Sequence, residues 1–295
     1  MLLPWIVRAS WLLVPFTCGT ALADALDGRS STVQLVAAVL LWSGWGAAVV
    51  ALLVPRPAGL VAVRVAATGL LVASLFWNDG DLAWVGRAHA AVTIVLALLP
   101  QTGEWLVNGG AYGYERRYVL RLPAPLLLPV GLAAALVPAA IATGPLLLAA
   151  EQVALGVIAT IAGAALTYVL VRALLSLTQR WAVLVPAGLV LKDHFALLDP
   201  VLFRRLQIET MGAALADTDA LDLTAAAPGR AVEVQLSEKE PVTKVSFGGR
   251  DQEMLKVGRF LFTPTRPAAL LADAAGRRFK VDQAATPPPS TTSPS

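Results

Sequence analysis

Two long stretches of the chain, residues 30–55 and 122–150, contain no charged side chain. About 20 apolar residues in a helix span the hydrocarbon of a bilayer. Soluble domains carry about 25% charged residues, whereas this chain carries 15% and has a mean hydropathy of +0.67. The sequence therefore predicts an integral membrane protein with several spans.

Charge is distributed unevenly along the chain, and no lysine occurs before Lys192. We therefore predict an α-helical membrane bundle over residues 1–180 and a small β-rich cytoplasmic domain over residues 181–283. The last residues, 284–295, are rich in proline, serine and threonine and are predicted to be a disordered tail. A net charge of +3 is too small to indicate a nucleic-acid partner.

About six spans are predicted from the apolar runs. They cover Trp5–Ala25, Thr32–Val54, Gly59–Trp77, Leu82–Leu99, Pro123–Ala142 and Pro145–Leu177. In the first run, Ala21-Leu22-Ala23 also resembles a signal-peptide cleavage site, but residues 1–7 are too apolar for the charged leader of a signal peptide. A retained helix is therefore favoured, and the cleaved alternative stays open.

The arginines indicate the orientation of the spans. If the spans alternate, most arginines that flank them fall on one side of the membrane, and the positive-inside rule makes that side cytoplasmic. Both termini are then cytoplasmic in a multi-pass protein of the plasma membrane. The opposite side receives the acidic loop with Asp79 and Asp81, between Trp77 and Trp84.

Ionisable residues within the spans are candidate functional groups. Arg87 and His89 lie at the start of the fourth predicted span, and Glu151 lies near the start of the sixth. Because an unpaired carboxylate in lipid is costly, we expect Glu151 to approach Arg87 or His89. The group would be a structural ion pair or a proton- or substrate-binding site. Other arginines, such as Arg8 and Arg64, are expected to extend to the headgroups.

Two further features leave a transport function open. The fifth predicted span contains Pro125, Pro129 and Pro138, which would bend it. Trp42 and Trp45 lie in the middle of the second span beside glycines. They are expected either to pack against a neighbouring helix or to face a ligand. The sixth predicted span is longer than a bilayer requires and is expected to project into the cytoplasm.

One loop between spans, residues 101–122, carries Arg116, Arg117 and Arg121. These arginines could be a charge cluster that only holds the loop inside the cell. Alternatively, they could hold a lipid phosphate, or the loop could contact the C-terminal domain. Both alternatives make the three arginines candidate binding residues.

Beyond residue 180, short segments alternate apolar and polar residues, which indicates β-strands. Residues 181–191 read as a hairpin, and residues 206–211, 231–236, 243–247 and 257–262 read as further strands. Residues 265–274 read as a short helix with proline in its first turn. This pattern predicts a small barrel or curved sheet closed by a C-terminal helix.

The run from Arg180 to Val190, with Pro186-Ala187-Gly188 as its turn, resembles the opening hairpin of bacterial PH-like domains fused to membrane spans. Phe262 to Pro267, before the short helix, is similar to their closing strand and helix. The Glu115-Arg116-Arg117 sequence resembles the loop of uncharacterised multi-span proteins of high-GC bacteria that carry such a domain. The resemblance implies an assembly or binding module and no particular activity.

The leading functional hypothesis is therefore a membrane scaffold that presents a PH-like module at the cytoplasmic face. Its expected partners are membrane lipids and, through residues 181–283, other membrane or cytoplasmic proteins. The alternative is a small transporter or lipid-handling protein that uses Glu151, His89 and Arg87. A third hypothesis is an enzyme acting on lipid-linked substrates with Glu151, Asp79 or Asp81 as acids.

Neither a cofactor, a metal nor a catalytic residue is predicted. The sequence contains no glycine-rich phosphate loop and no nucleophile accompanied by histidine and acid. The single cysteine, Cys18, cannot form an internal disulfide or a cysteine-based metal cluster and is expected to be a packing residue.

Overall fold

The computed structural model describes residues 2–77, 83–215, 217–245 and 252–282. Asp79, Asp81 and the predicted disordered tail lie outside the described residues. The chain divides into two compact units. The helical unit contains residues 1–110 and 125–179, and the β unit contains residues 111–124 and the chain from Arg180 onward. The chain therefore passes between the units three times.

Apolar helices make up the helical unit. They are α1 Leu3–Thr17, α2 Gly19–Leu26, α3 Ser31–Leu53, α4 Pro57–Ser74, α5 Ala83–Leu98, α6 Pro100–Asn108, α7 Leu127–Ala149 and α8 Val153–Leu177. Among the described residues, five helical segments are long and apolar enough to cross a membrane, with α1 and α2 together forming one of them. The bent pair α5 and α6 gives a sixth if it counts as one span.

The break between α5 and α6 follows from Leu99 and Pro100. Proline disfavours a helical backbone in the residue before it, and Leu99 has an extended conformation with ψ 133°. Proline is well tolerated in the first turn of a helix, so α6 begins at Pro100, at an angle of 58° to α5. The predicted loop over residues 101–122 is thus partly helical, which the sequence interpretation missed.

The boundary between the last two spans also differs from the prediction. A turn was expected at Thr143 and Gly144, but α7 continues to Ala149 and the turn comes at residues 150–152. Gly144 is instead a contact between helices, because a Cβ atom there would lie 2.3 Å from Oγ1 of Thr160 on α8. As a result α8 has 25 residues, about a quarter fewer than the predicted span Pro145–Leu177, and the projection into the cytoplasm stays a prediction.

The β unit contains two four-stranded sheets and a helix. The first sheet has the order β1 Arg116–Val119, β2 Trp181–Val185, β3 Gly188–Lys192 and β4 Val201–Arg204, all antiparallel. The second has the order β5 Ile208–Ala213, β7 Val232–Val245, β8 Gln252–Phe262 and β6 Leu221–Asp222. Helix α9, Pro267–Gly276, follows β8.

A single apolar core joins the two sheets and α9. Phe203 of the first sheet stacks on Phe260 of the second, with ring centroids 4.3 Å apart. Phe262 and, from α9, Leu270 are also fully buried in this core. Each buried phenylalanine or leucine side chain contributes roughly 1.5–3 kcal/mol, so this core accounts for the sheet-rich C-terminal region that the alternating pattern predicted.

Strand β1 comes from the chain between α6 and α7 and completes the first sheet. Its register with β2 runs from Arg116 opposite Leu184 to Val119 opposite Trp181. Tyr118 of this strand is 2% exposed, and its hydroxyl donates a hydrogen bond of 2.9 Å to Asp273 on α9. The predicted contact between this loop and the C-terminal domain is therefore confirmed, as a strand of the sheet.

Candidate functional site

The structure does not bring Glu151 to Arg87 or His89. Glu151 lies exposed in the turn between α7 and α8, with a left-handed backbone at φ 64°. Among the described residues its side chain forms no hydrogen bond or ion pair. The expectation assumed that Glu151 lay inside the sixth helix, whereas the structure places it in the turn before α8 with its side chain exposed.

The Arg87 side chain donates hydrogen bonds to backbone carbonyls at the end of a neighbouring helix. Its Nε donates to the carbonyl of Ser74, the last residue of α4, at 3.2 Å, and its Nη2 donates to the carbonyl of Trp77 at 2.6 Å. The last four carbonyls of a helix have no partner within the helix. Arg87 is thus engaged in completing the C-terminus of α4.

Two other arginines of the helical unit also donate hydrogen bonds to carbonyls near the ends of helices. Arg8 donates through Nε and Nη2 to the carbonyl of Leu52 near the end of α3, at 3.1 and 3.0 Å. Arg64 donates to the carbonyl of Ala97 near the end of α5, at 3.3 Å. The interpretation that both side chains only extend to headgroups is therefore incomplete, because their guanidinium groups bind helix ends.

His89 links α5 to α1 through hydroxyl groups. Its Nε2 lies 3.1 Å from Oγ of Ser10, and its Nδ1 is hydrogen-bonded to Oγ1 of Thr17. Ser10 is also 3.0 Å from Oγ1 of Thr93. A neutral imidazole has one donor and one acceptor nitrogen, and here hydroxyls satisfy both, which fixes the ring as a connection between the helices.

Glu104 is a buried charged residue that the sequence interpretation missed. It is 2% exposed on α6, and the adjacent Gly103 lies against Arg64, since a Cβ atom there would be 3.5 Å from Nη2. Its helical position could have been read from Pro100, a favourable first residue of a helix. The interior of the helical unit therefore holds opposite charges on α4 and α6.

The three predicted arginines of the loop have different environments in the β unit. Arg117 donates from Nε to Oε1 of Glu115 at 2.6 Å and lies 5.0 Å above the ring of Trp181. The hydrogen bond from Arg117 lowers the pKa of Glu115 below its usual range. Arg121 packs over Gly229, whose missing Cβ leaves room for it. Arg116 is exposed and, among the described residues, has no side-chain partner.

A buried ion pair was also missed. Arg180 and Asp193 are 1% and 2% exposed and form two parallel hydrogen bonds, both 2.7 Å long. Asp193 also accepts a bond from the backbone of Phe195, and Arg180 donates to the carbonyl of Arg121. The pair joins the beginning of β2, the end of β3 and the segment after β1, so its role is to hold the first sheet together.

An exposed cluster of basic, aromatic and apolar side chains lies at one end of the first sheet. Arg116 stands opposite Leu184, and Gly188 stands opposite Arg204, so the start of β1, the β2–β3 turn and the end of β4 meet there. We call this cluster the basic sheet end. Its exposed side chains are Tyr112, Tyr114, Arg116, Arg204, Arg205 and Leu206. Leu206 is 90% exposed, and the two tyrosines are 84% and 83% exposed.

Hydrogen bonds hold the backbone of the basic sheet end in place. The amide of Arg205 donates to the carbonyl of Ala187 at 2.8 Å, and the amide of Arg204 donates to Oε1 of Gln207. The carbonyl of Gln207 in turn accepts a bond from the amide of Ser237 on β7. The turn that carries the exposed side chains is therefore fixed from both sheets.

The acidic residues near the basic sheet end are mostly engaged elsewhere. Glu115 binds Arg117, Glu240 accepts a hydrogen bond from Gln207, and Asp273 binds Arg277 at 3.4 Å. Glu238 is exposed on β7. Among the described residues, Arg116, Arg204 and Arg205 have no acidic partner, so the cluster carries a local positive charge.

The composition of the basic sheet end is typical of a binding surface. Within the described ranges, no group of three histidine, cysteine or acidic side chains could hold a metal ion. Exposed arginine and tyrosine side chains are the types that carry most binding energy at protein interfaces. Of the exposed arginines in this cluster, only Arg116 was a candidate in the sequence analysis, because its loop was the only one that carried a group of arginines between spans.

Comparison with known proteins adds no relative. No protein-family model matches the chain, and neither the curated proteins nor the solved structures include a match. Its function is therefore inferred from its own residues.

Proposed function

We propose that this chain is an integral protein of the bacterial plasma membrane. The support is the set of five or six helical segments that are apolar enough to cross a bilayer. Large apolar side chains are exposed on them, such as Phe16, 77% exposed, and Leu128, 72% exposed. Apolar surfaces of this extent are found where a protein meets lipid or another protein.

The proposed topology places both termini in the cytoplasm. Counting α5 and α6 as one span gives six, an even number, so the two termini fall on one side. The arginine-rich connections, such as the segment with Arg116, Arg117 and Arg121, fall on that same side, and the positive-inside rule assigns it to the cytoplasm.

The β unit is proposed to be a PH-like module. Two sheets enclose one core, and a helix follows the last long strand. The resemblance read from the sequence fits this order, because the hairpin of β2 and β3 opens at Trp181 and β8 ends at Phe262 before α9 begins at Pro267. The proposed function of the protein is to present this module at the membrane as a scaffold for other proteins.

One observation carries the scaffold proposal, namely the fixed and exposed basic sheet end. Its arginines have no partners among the described residues, while Arg8, Arg64 and Arg87 of the helical unit are engaged by carbonyls. The β unit therefore carries an exposed surface whose arginines are available for binding.

Topology is tested with single cysteines. Cys18 is replaced by serine, and Leu206→Cys or Met254→Cys is introduced at a position that is 90% or 77% exposed. A membrane-impermeant maleimide should label both only in inverted vesicles. Labelling of either cysteine from outside intact cells would contradict the proposed orientation.

The scaffold role is tested by co-purification of the full-length chain from native membranes. Removing residues 181–283 would leave β1 without its sheet, so the charge reversal Arg204→Glu with Arg205→Glu is the better comparison. We expect proteins that co-purify with the wild-type chain to be lost from the variant. The same set of proteins in both samples would count against a scaffold that works through this surface.

A second candidate function, a small transporter or lipid-handling protein, is favoured by the break between α5 and α6. Broken helices with charged residues beside the break are a feature of transporters, and Glu104 is buried on α6. Ala97→Cys in a chain without Cys18 tests it, since Ala97 is fully buried. Modification by small water-soluble thiol reagents from both membrane sides would support transport, and protection from both sides would contradict it.

A further inference from the structure

We infer that the basic sheet end binds an acidic segment of a protein partner. This inference rests on the proposed function of the β unit as an interaction module, and it names the chemistry of the partner. The surface consists of Tyr112, Tyr114, Arg116, Arg204, Arg205 and Leu206.

Charge is the first argument. Arg116, Arg204 and Arg205 are exposed, and the nearby carboxylates of Glu115, Glu240 and Asp273 already have partners. A guanidinium group binds a carboxylate through two parallel hydrogen bonds, as Arg180 and Asp193 do in this unit. Even with Glu238 exposed on β7, several guanidinium groups that have no partner among the described residues are complementary to a segment with several carboxylates.

The apolar side chains provide the second argument. Leu206 is 90% exposed directly beside two arginines, and Tyr112 and Tyr114 flank the start of β1. Tyrosine and arginine dominate the energetically important residues of protein interfaces. An inorganic anion would leave these three side chains uncovered, whereas a peptide with an apolar residue among its acids would cover them.

The size of the surface sets the length of the partner segment. Arg116 is on the first strand of the sheet and Arg204 on the fourth. The register places Arg116 on the face of Phe203 and Arg204 on the opposite face, so a partner segment would run across the end of the sheet. Three strand spacings of about 4.8 Å place the two strands about 14 Å apart. An extended peptide advances about 3.3 Å per residue, so roughly five residues reach across and about eight residues cover the surface.

An anionic bilayer also attracts arginine side chains, and it is the competing outcome of the experiment. The combination of arginine and tyrosine favours a protein partner.

The test uses the full-length chain in nanodiscs of zwitterionic phosphatidylcholine. The probe is a fluorescein-labelled octapeptide of six glutamates and two leucines, and the control is the same peptide with glutamines. Fluorescence anisotropy measures binding. We expect the glutamate peptide to bind at least ten-fold more tightly than the glutamine peptide, and its binding to weaken as salt is raised.

Variants locate the binding surface. Arg204→Glu with Arg205→Glu should raise the Kd for the glutamate peptide at least ten-fold. The matched control, Arg230→Glu with Lys256→Glu, reverses two exposed charges elsewhere on the same unit and should change the Kd less than two-fold. Leu206→Asp should weaken binding several-fold without reversing a positive charge. Equal effects of the two double variants, or no binding preference for glutamate, would overturn the inference.

A lipid partner gives a different result. An environment-sensitive dye is attached to Leu206→Cys in a chain without Cys18, and the nanodiscs contain either only phosphatidylcholine or about one third phosphatidylglycerol. A blue shift that anionic lipid causes and the peptide does not would overturn the inference in favour of the bilayer. Nanodiscs expose both faces, so peptide binding is measured independently of the topology on which the proposed function depends.

Discussion

Arginine is used in opposite ways in the two units of this protein. In the helical unit, Arg8, Arg64 and Arg87 each donate to a backbone carbonyl near the end of another helix. In the β unit, Arg204 and Arg205 have no side-chain partners among the described residues. The same side chain completes the backbone in one unit and remains available for binding in the other.

The difference follows from what surrounds each unit. Where water is excluded, an unpaired carbonyl at a helix end costs several kcal/mol, and a long cationic side chain is one way to satisfy it. The strands of the β unit pair most of their own backbone groups, so Arg204 and Arg205 are not needed for this task, although Arg180 still donates to the carbonyl of Arg121. The comparison teaches that charged residues within apolar helices need not mark a reaction site.

The largest expected effect concerns the buried pair of the β unit. Asp193→Ala leaves Arg180 buried without its carboxylate, and breaking such a pair costs about 3–5 kcal/mol. We expect early thermal loss of the β unit, measured by tryptophan fluorescence of the full-length chain. Arg259→Ala, at an exposed ion pair with Asp219, is the control and should cost less than about 1 kcal/mol. Similar losses in both variants would contradict the structural role of the buried pair.

The next effect tests arginine as a partner of helix ends. Arg8→Met keeps an apolar side chain but removes two hydrogen bonds to Leu52, and bonds to charged groups contribute about 1.5–3 kcal/mol. Arg172→Met is the control, because Arg172 is exposed and bonds only the hydroxyl of Tyr168 among the described residues. Unfolding in mixed micelles should show a lower free energy of unfolding for Arg8→Met but not for Arg172→Met. Equal stability of the two variants would contradict the role of Arg8 at the end of α3.

A smaller effect is expected from helix packing. A Cβ atom at Gly163 on α8 would lie 2.4 Å from the carbonyl oxygen of Ala140 on α7, whereas Gly131 has open space around it. Gly163→Ala should therefore separate the two helices and cost about 1–3 kcal/mol. Gly131→Ala should be neutral in the same micelle assay. A neutral Gly163→Ala would show that α7 and α8 are not in close contact there.

The smallest effect is a pH dependence at the start of β1. The hydrogen bond from Arg117 lowers the pKa of Glu115 in the folded state, so this carboxylate stabilises the fold at neutral pH. The contribution is lost as the pH falls from the usual carboxyl pKa through the lowered one. Glu115→Gln should remove this acid-dependent part, seen as a smaller drop in the melting temperature of the β unit between pH 6 and about pH 3. If the melting temperature of Glu115→Gln fell with pH as much as that of the wild type, the contribution of Glu115 to stability would be contradicted.

The sequence predicts the elements whose pattern is local. Long apolar runs are visible without a partner, so five or six span-capable helices and a sheet-rich C-terminal region were expected. The turn at Thr143 and Gly144 was misplaced, because a glycine in tight contact with Thr160 looks the same in sequence as a glycine in a turn. Strand β1 is four residues long and charged, and its partner β2 lies far along the chain.

The site was predicted less completely than the fold. Arg116 was a candidate, but Leu206 was taken as the first residue of a strand, whereas β5 begins at Ile208. Exposure decides the role of Arg204, Arg205 and Leu206, and exposure depends on where the turn lies relative to both sheets. Glu151 was singled out because its depth was inferred from a turn that lies elsewhere.

The origin of β1 between α6 and α7 has a consequence for biosynthesis. Arg116–Val119 leaves the ribosome before α7 and α8, and its partner β2 is made only after both. At translation rates of about 5–20 residues per second, this strand waits several seconds with its edge uncovered while the intervening helical hairpin is synthesised. The first sheet can therefore form only after α7 and α8 have been synthesised.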